Sequence, residues 1–385
     1  MLRVLTLSTL FPDASRPNFG VFVERQTRGL AALPDTEVIV VAPVGLPPGP
    51  LARVRHAELA RLPERENWRG LDVRRPRFAS LPLTAGRFHA RLLARAVAPV
   101  LDRLRFDVID ASFFFPDGVA AAALGRRYGV PVSIKARGAD IHHWGLAPAT
   151  AAQVLAAGRA ADGLLAVSKA MRADMVALGL PAERIRVHPT GVDLDRFAPA
   201  DRAAAKRELG VGGPLIVSTG ALIPRKGHDV VIEAVARLPG ASLRIAGEGP
   251  ERARLQALIR RLGLSDRVRL LGRVPHAELP RLLAAADVTA LASSSEGLAN
   301  AWVEALACGV PVVITDAGGA REVVTAPSAG RIAARDPAAF ARTIADLLAS
   351  PPDPLAVREH ARRFTWDANA RSLRDHLEAL VQFSG

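Results

Sequence analysis

Short apolar runs recur along the chain, each followed by a stretch in which Ala, Leu and Arg return at three- and four-residue intervals. The runs predict strands over Val4–Ser8, Val38–Ala42, Val108–Ala111, Pro131–Lys135 and Leu164–Ser168 in the first half. In the second half they predict Leu215–Thr219, Ser242–Ala246, Val268–Leu271, Val288–Leu291 and Val310–Thr315. Strands apolar at nearly every position, separated by helices, imply parallel sheets covered on both faces. The alternation breaks once, at VHPTGVDLDRFAPADRAAAKRELGVGG, Val187 to Gly213, which is rich in Pro, Gly and Asp. The fold class is therefore α/β, with two doubly wound Rossmann-like domains facing an interdomain cleft. Residues 1–190 form the first domain, 191–213 a linker and 214–365 the second domain. The stretch RRFTWDANARSLRDHLEALVQF reads as an amphipathic helix, and residues 366–385 are expected to cross back to the first domain. Sheets of this kind bind ligands beyond the carboxyl ends of their strands.

A chain of 385 residues exceeds what one core usually serves, which agrees with two domains. The single cysteine, Cys308, excludes a disulfide framework and suits a reducing compartment. His142 and His143 have no partners at ligand spacing, so no metal site is expected. MLRVLTLSTLF lacks a small-residue cleavage site and reads as a buried first strand, and no run approaches the roughly 18–20 apolar residues of a membrane span. A cytoplasmic protein follows, with peripheral contact at the inner face of the cell membrane in view because of its charge. The formal net charge is +13, and residues 1–190 carry 26 basic against 16 acidic side chains. Residues 53–105 carry 13 against 5. Such a field draws nucleic acid, anionic lipid or phosphorylated substrates. A compositional bias towards arginine, which supplies 47 of 51 basic residues, accounts for the same count.

Three strand–turn–helix junctions carry candidate chemistry. TGALIPRKGHDVVIEAV places Arg225 and Lys226 in a loop before a helix, an arrangement suited to phosphate oxygens, although a solvated turn explains it equally. IAGEGPERARLQAL has Gly247 and Gly249 at a turn and Pro250 in the first helical position, and a plain tight turn is the simpler reading. SSSEGLANAWVEALACGVPVVI holds two carboxylates, Glu296 and Glu304, with seven residues between them. With a helix beginning near Asn300, the amides of Gly297, Leu298, Ala299 and Asn300 form an anion-binding end. Glu296 just upstream accepts hydrogen bonds from hydroxyls and repels phosphate. Glu304, in an apolar stretch, needs donors, and a ribose diol supplies two. These features suit a nucleotide sugar. An exposed Glu296, with Glu304 in a local network, satisfies the same spacing.

The run ADVTALASSSEGLANAWVEALACGVPVVITDAGGAREVV resembles the signature of family 4 retaining glycosyltransferases of the GT-B fold, with Glu296 and Glu304 as the paired glutamates. GVFVERQTRGL, AVSKAM, HPTGVDLDRF, GALIPRKG, IAGEGPE and LLGRVP match other parts of that pattern in order. FPDASRPNFGVFVERQ is most similar to members that build bacterial cell-surface polysaccharides. The resemblance implies a transferase moving a hexosyl-type sugar from a UDP- or GDP-linked donor to a glycan or lipid-linked acceptor, with retention and without metal or other cofactor. It implies that Gly20 approaches the donor pyrophosphate, that Arg225 and Lys226 hold it, that Glu304 binds the ribose and that Arg273 and Val274 lie near the base. Glu296 and the amides of Gly297 to Asn300 would hold the sugar. Arg137 and Asp140 would face the sugar or acceptor. Two positions depart from the pattern. Ala221 stands where many members have arginine, and Arg137 in KARGADIHH stands where many have histidine. A guanidinium cannot act as a base at neutral pH, although it can stabilise a leaving phosphate.

GRFHARLLARAVAPVLDRLR, Gly86 to Arg105, has Phe88, Leu92, Leu93, Val97, Val100 and Leu101 on one side and Arg87, Arg91 and Arg95 in a stripe. A basic amphipathic helix suits an anionic membrane surface and a lipid-linked acceptor, whereas a core helix with a solvated arginine face has the same pattern. Two other functions stay open on the residues alone. A nucleotide-sugar epimerase shares the architecture without requiring this combination of motifs. A nucleic-acid-binding protein is suggested by charge alone, but one tyrosine in the chain leaves little for base stacking, and no nucleic-acid partner is expected.

Overall fold

The structure, a computed structural model, describes residues 1–49 and 56–383. Arg53 and Arg55 of the basic segment lie outside the described residues. The chain divides into one unit of residues 1–191 with 366–385 and a second of residues 192–365.

The first unit contains β1 (Leu2–Leu7), β2 (Thr36–Val41), β3 (Val44–Leu46), β4 (Arg65–Trp68), β5 (Leu71–Arg74), β6 (Arg77–Ala79), β7 (Val108–Ala111), β8 (Val132–Ala136), β9 (Gly163–Ala166) and β10 (Ile185–Val187). Its main sheet runs β10-β9-β8-β7-β1-β2-β5-β4. All neighbours are parallel except β4 with β5, and β3 and β6 form a separate parallel pair. In the second unit, β11 (Leu215–Thr219), β12 (Ser242–Ala246), β13 (Val268–Gly272), β14 (Val288–Leu291), β15 (Val312–Ile314) and β16 (Gly330–Ile332) run β13-β12-β11-β14-β15-β16. This sheet is parallel throughout. Each sheet has one point where strand order reverses, beside β1 and β7 in the first and beside β11 and β14 in the second. Loops leaving the carboxyl ends of those strands diverge, and the space between them is where a doubly wound sheet takes its ligand.

The expected strands are present, with two systematic trims. β8 begins at Val132 and β15 at Val312, each just after a proline that has no N–H for the ladder. β4, β5 and β6 fall in the basic segment, where short polar runs such as RENW give no apolar signal. The segment expected as a linker belongs to the second unit from Val192 onward. Its helix Arg202–Glu208, capped by Asp201, is held by Lys206, whose Nζ lies 2.5 Å from Asp287 Oδ2. That part-buried ion pair ties the stretch to the loop before β14.

The helix Trp366–Phe383 packs in the first unit, where Leu373 and Leu377 join Leu2, Val4, Leu30, Val38, Val108 and Leu165 in one core. Burying each such leucine stabilises by about 1.5–3 kcal/mol. The second core takes Val231, Ile232 and Val235 from one helix and Phe340, Ile344 and Leu347 from another, around Leu243 and Ile245 of β12. The helix His89–Leu101 runs through Pro99, which sits in its last turn. Its Leu93, Val97 and Leu101 are buried in the protein, Leu92 and Val100 are partly buried, and Phe88 just before it is exposed, so most of its apolar face is covered. No helix among the described residues is long and apolar enough to cross a membrane.

Candidate functional site

In the second unit the loops after β11 and β14 meet at the strand-order reversal. Pro224–Lys226 forms one turn of 3₁₀-helix before the helix His228–Ala236. Between them Gly227 has φ +64°, and a Cβ there would lie 2.1 Å from the Ala292 carbonyl oxygen, so only glycine lets the two loops touch. Ser294 N–H donates to the Arg225 carbonyl at 2.8 Å. Arg335 joins the same loops, donating to Ala292 O at 2.8 Å and Pro224 O at 3.1 Å.

This arrangement brings Arg225 and Lys226 onto Glu296. Lys226 Nζ lies 2.5 Å from Glu296 Oε1, and Arg225 Nη1 lies 3.4 Å from Oε2 while also donating to the Ser295 carbonyl. The Lys226 and Glu296 side chains are 15% and 8% exposed, so the pair is largely desolvated, whereas Arg225 keeps 40% of its side chain in solvent. Glu296 leads into the helix Asn300–Ala307. The amides of Leu298, Ala299, Asn300 and Ala301 have no hydrogen-bond partner among the described residues. The Gly297 carbonyl accepts from Gly319 N–H at 2.8 Å. Two cations, one carboxylate and a row of unpartnered amides therefore share the carboxyl end of the central strands β11 and β14, a donor set suited to an anion next to a hydroxyl-bearing group.

Glu304 is largely buried on the same helix, where His276 Nε2 lies 2.7 Å from its Oε1. His276 packs edge-on against Phe197 at 5.3 Å between ring centres. The donor expected of a ribose is thus provided on one oxygen by a histidine that the glutamate spacing did not reveal, although GRVPHAEL contains it. The same loop carries Arg273 and Val274. Arg273 Nε donates to Glu248 Oε2 at 3.0 Å, with both side chains exposed. Arg273, Val274, Pro275, Glu278 and Arg281 line a cavity of about 440 Å³ with the Arg202–Glu208 helix. The IAGEGPE turn acts as a support. Leu222 N–H donates to Glu248 O, and Glu251 N–H donates to Leu222 O. His228, missed in the sequence, braces the cationic loop from below. Its ring bridges Ser218 Oγ at 3.1 Å and Ala221 O at 3.2 Å, and burial lowers its pKa, which keeps it neutral.

In the first unit Gly20, Arg137 and Asp140 lie at the carboxyl end of the sheet. Gly20 precedes the helix Val21–Ala31 at φ +68°, and a Cβ there would sit 2.3 Å from Leu10 O. Phe22, at the start of that helix, lies under the Arg137 guanidinium at 4.8 Å. Arg137 also donates from Nε to Ser112 O at 2.7 Å and from Nη2 to Gln26 Oε1 at 3.2 Å. Burial lowers its pKa to about 10, so it stays cationic at neutral pH. The Asp140 carboxylate is taken up by backbone amides. It is fully buried, and its oxygens accept from the amides of Arg137 at 3.0 and 3.1 Å, Gly138 at 2.7 Å and Phe114 at 3.2 Å. A short carboxylate three residues after Arg137 holds the turn by accepting its amides, which gives Asp140 a structural reason for its place. Part of the basic segment is paired internally. Arg65 and Arg74 meet Asp72, and Arg75 meets Glu66 at 2.5 Å. Among the described residues no group of three or more His, Cys, Asp or Glu side chains could hold a metal ion.

The chain resembles solved structures over its whole length. Sucrose-phosphate synthase from Thermosynechococcus elongatus matches with a TM-score of 0.84 at 21% identity over 100% of both chains. Anabaena HepE in complex with UDP-glucose matches with a TM-score of 0.77 at 21% identity over 98% of this chain and 100% of that one. These likenesses establish the GT-B fold. Among curated relatives, a GDP-mannose-dependent alpha-(1-6)-phosphatidylinositol monomannoside mannosyltransferase from Mycolicibacterium smegmatis is 34% identical over 239 residues, 58% of this chain and 63% of the relative. A D-inositol 3-phosphate glycosyltransferase from Segniliparus rotundus is 35% identical over 206 residues, 50% of this chain and 46% of the relative. The matched region spans about half to two thirds of the length of such relatives. Two family models divide the chain between them, Glycosyltransferase Family 4 over residues 20–196 and Glycosyl transferases group 1 over residues 200–364. With both halves matched, the chain belongs to the family 4, group 1 glycosyltransferases.

Proposed function

We propose that this protein is a retaining glycosyltransferase that moves a sugar from a UDP- or GDP-linked donor to a phosphorylated, glycan or lipid-linked acceptor in cell-surface polysaccharide synthesis. The observation that carries the reading is the convergence of Arg225 and Lys226 on Glu296 beside the unpartnered amides of Leu298 to Ala301. In sugar transfer the ring becomes cation-like and the departing diphosphate gains negative charge. Fixed cations and oriented amides stabilise that charge without reorganising. Glu296 offers carboxylate oxygens to the sugar hydroxyls, and the diphosphate draws on Lys226, the exposed side of Arg225 and the helix amides. Glu304 offers its carboxylate to the ribose, with His276 fixing its orientation, and Arg273 and Val274 flank the base. Within the first unit, Gly20 and Arg137 lie at the carboxyl end of the sheet, where sheets of this kind take ligands. The reading needs no cofactor other than the nucleotide sugar.

The relatives named above support both nucleotide classes, since one is named for GDP-mannose and another is bound to UDP-glucose. Their named acceptors include D-inositol 3-phosphate and a phosphatidylinositol mannoside, and the positive first unit suits an acceptor of that charge. A cytoplasmic site with peripheral membrane contact fits through arginines rather than by insertion. Arg91, Arg95, Arg126 and Arg127 rim a groove of about 360 Å³ floored by Ala90, Ala94, Ala98 and Leu124. The test is nucleotide release on incubation with UDP-glucose, GDP-mannose and related donors. Release of UDP or GDP that depends on Lys226 supports the reading. The absence of release and of thermal stabilisation by either nucleotide would overturn it.

A further inference from the structure

Lys135 on β8 is completely buried, as are Gln26 and His188 to within 2% exposure. Lys135 Nζ lies 2.9 Å from Gln26 Oε1 and 2.6 Å from His188 Nδ1. His188 Nε2 lies 2.8 Å from the backbone carbonyl of Asn369. The direction of each bond is forced. The Asn369 carbonyl can only accept, so His188 carries its proton on Nε2 and accepts at Nδ1. Lys135 therefore donates to His188 and to Gln26. Gln26 Oε1 also receives Arg137 Nη2, so two donors hold the amide with its oxygen towards Arg137. Were the amide reversed, its NH₂ would face both cations. Burial and Arg137 lower the Lys135 pKa while Asp110 opposes them, but a neutral amine still has two N–H groups, enough for both partners. The chain of bonds begins beside both passages between the units. His188 stands three residues before Gly191, and Asn369 stands three after Trp366.

We propose that Lys135 and His188 are positioning residues that fix the Arg137 guanidinium through Gln26, so that the arginine standing where a histidine is usual is held rigid by a relay anchored on the C-terminal helix. The proposal rests on the reading of Arg137 as part of the transfer site. A lysine with a merely structural role behaves differently. Replacing a buried charge by an apolar side chain of similar volume is often neutral or stabilising, and it would leave turnover untouched.

The experiment measures turnover and donor affinity in the full chain for Lys135→Met, Gln26→Met, Arg137→Lys and the double variant Lys135→Met with Arg137→Lys. The probes are UDP-glucose and GDP-mannose, and the variants are compared with the one that the wild type turns over. The relay predicts a loss of about 10-fold or more in kcat for Lys135→Met and for Gln26→Met, with donor KM within about 2-fold of wild type. It also predicts that Lys135→Met costs little more once Arg137 is already Lys, because residues in one network are not additive. Unchanged kcat in a folded Lys135→Met protein, or losses that multiply in the double variant, overturns the relay. If Lys135→Met does not fold, Gln26→Met carries the same test. Failure of the wild type to turn over any donor or bind nucleotide contradicts the proposed function instead, so the two failures are separable.

Discussion

Removing Lys226 should expose how the cationic loop and Glu296 depend on each other. Lys226→Met leaves a carboxylate with 8% of its side chain exposed, and the remaining cation, Arg225, reaches it only at 3.4 Å. Breaking a buried pair from one side costs about 3–5 kcal/mol. With Arg225 still in place, about 2–3 kcal/mol is the appropriate expectation. For a unit the size of residues 192–365, each kcal/mol lowers the midpoint by roughly 2–4 °C, so a fall of about 5–10 °C follows. Adding Glu296→Gln removes the stranded charge and should return the midpoint to within about 2 °C of wild type. Sugar transfer should stay lost in the double variant, because both ligand-facing charges are gone. Scanning calorimetry is the assay, with the transition of this unit followed by itself, since two units need not melt as one. If the single and double variants melt at the same temperature, the pair is not coupled and the reasoning fails.

Glu304→Ala and His276→Ala should each weaken UDP or GDP binding, by roughly 10-fold for loss of a hydrogen bond to a charged group. Nucleotide affinity unchanged in both would remove Glu304 from the ribose. Asp117 is fully buried beside Asp140, and burial raises its pKa to about 7. The folded value lies above the unfolded one, so its stabilising effect is complete below about pH 4 and is lost as pH rises through 7. At about 1.4 kcal/mol per pH unit the loss is roughly 4 kcal/mol, and Asp117→Asn should therefore gain on wild type between pH 5 and pH 8 in denaturant titrations. A constant difference across that range would refute the assignment. Gly20→Ala forces a Cβ to within 2.3 Å of Leu10 O at positive φ. It should destabilise the first unit by at least about 1–3 kcal/mol and reduce turnover, as checked by calorimetry and donor release.

The strand–helix alternation was legible because parallel strands covered on both faces are apolar throughout, as in LIVST and VTAL. The β4–β6 region was not, since RENW and RFA are short and polar and owe their pairing to neighbours. Arg225, Lys226, Glu296 and Glu304 could be picked out by residue type and motif. Their pairing could not, because Lys226 and Glu296 are 70 residues apart and meet only through the order of β11 and β14. His276 and Lys135 were passed over for the same reason, since each matters only through a partner 28 or 109 residues away. Asp140 was singled out through the resemblance of KARGADIHH, whereas the amides of Arg137 and Gly138 that it accepts, and so its hold on the turn, are visible only in the structure.

Calorimetric titration of UDP and GDP into the full chain and into Lys226→Met tests the central claim most directly. The account predicts that at least one nucleotide binds the wild type and that its affinity falls about 10-fold or more in the variant, as expected for loss of a charge-assisted contact to diphosphate. Equal affinity in the two proteins, or no binding of either nucleotide at millimolar concentration, would contradict it.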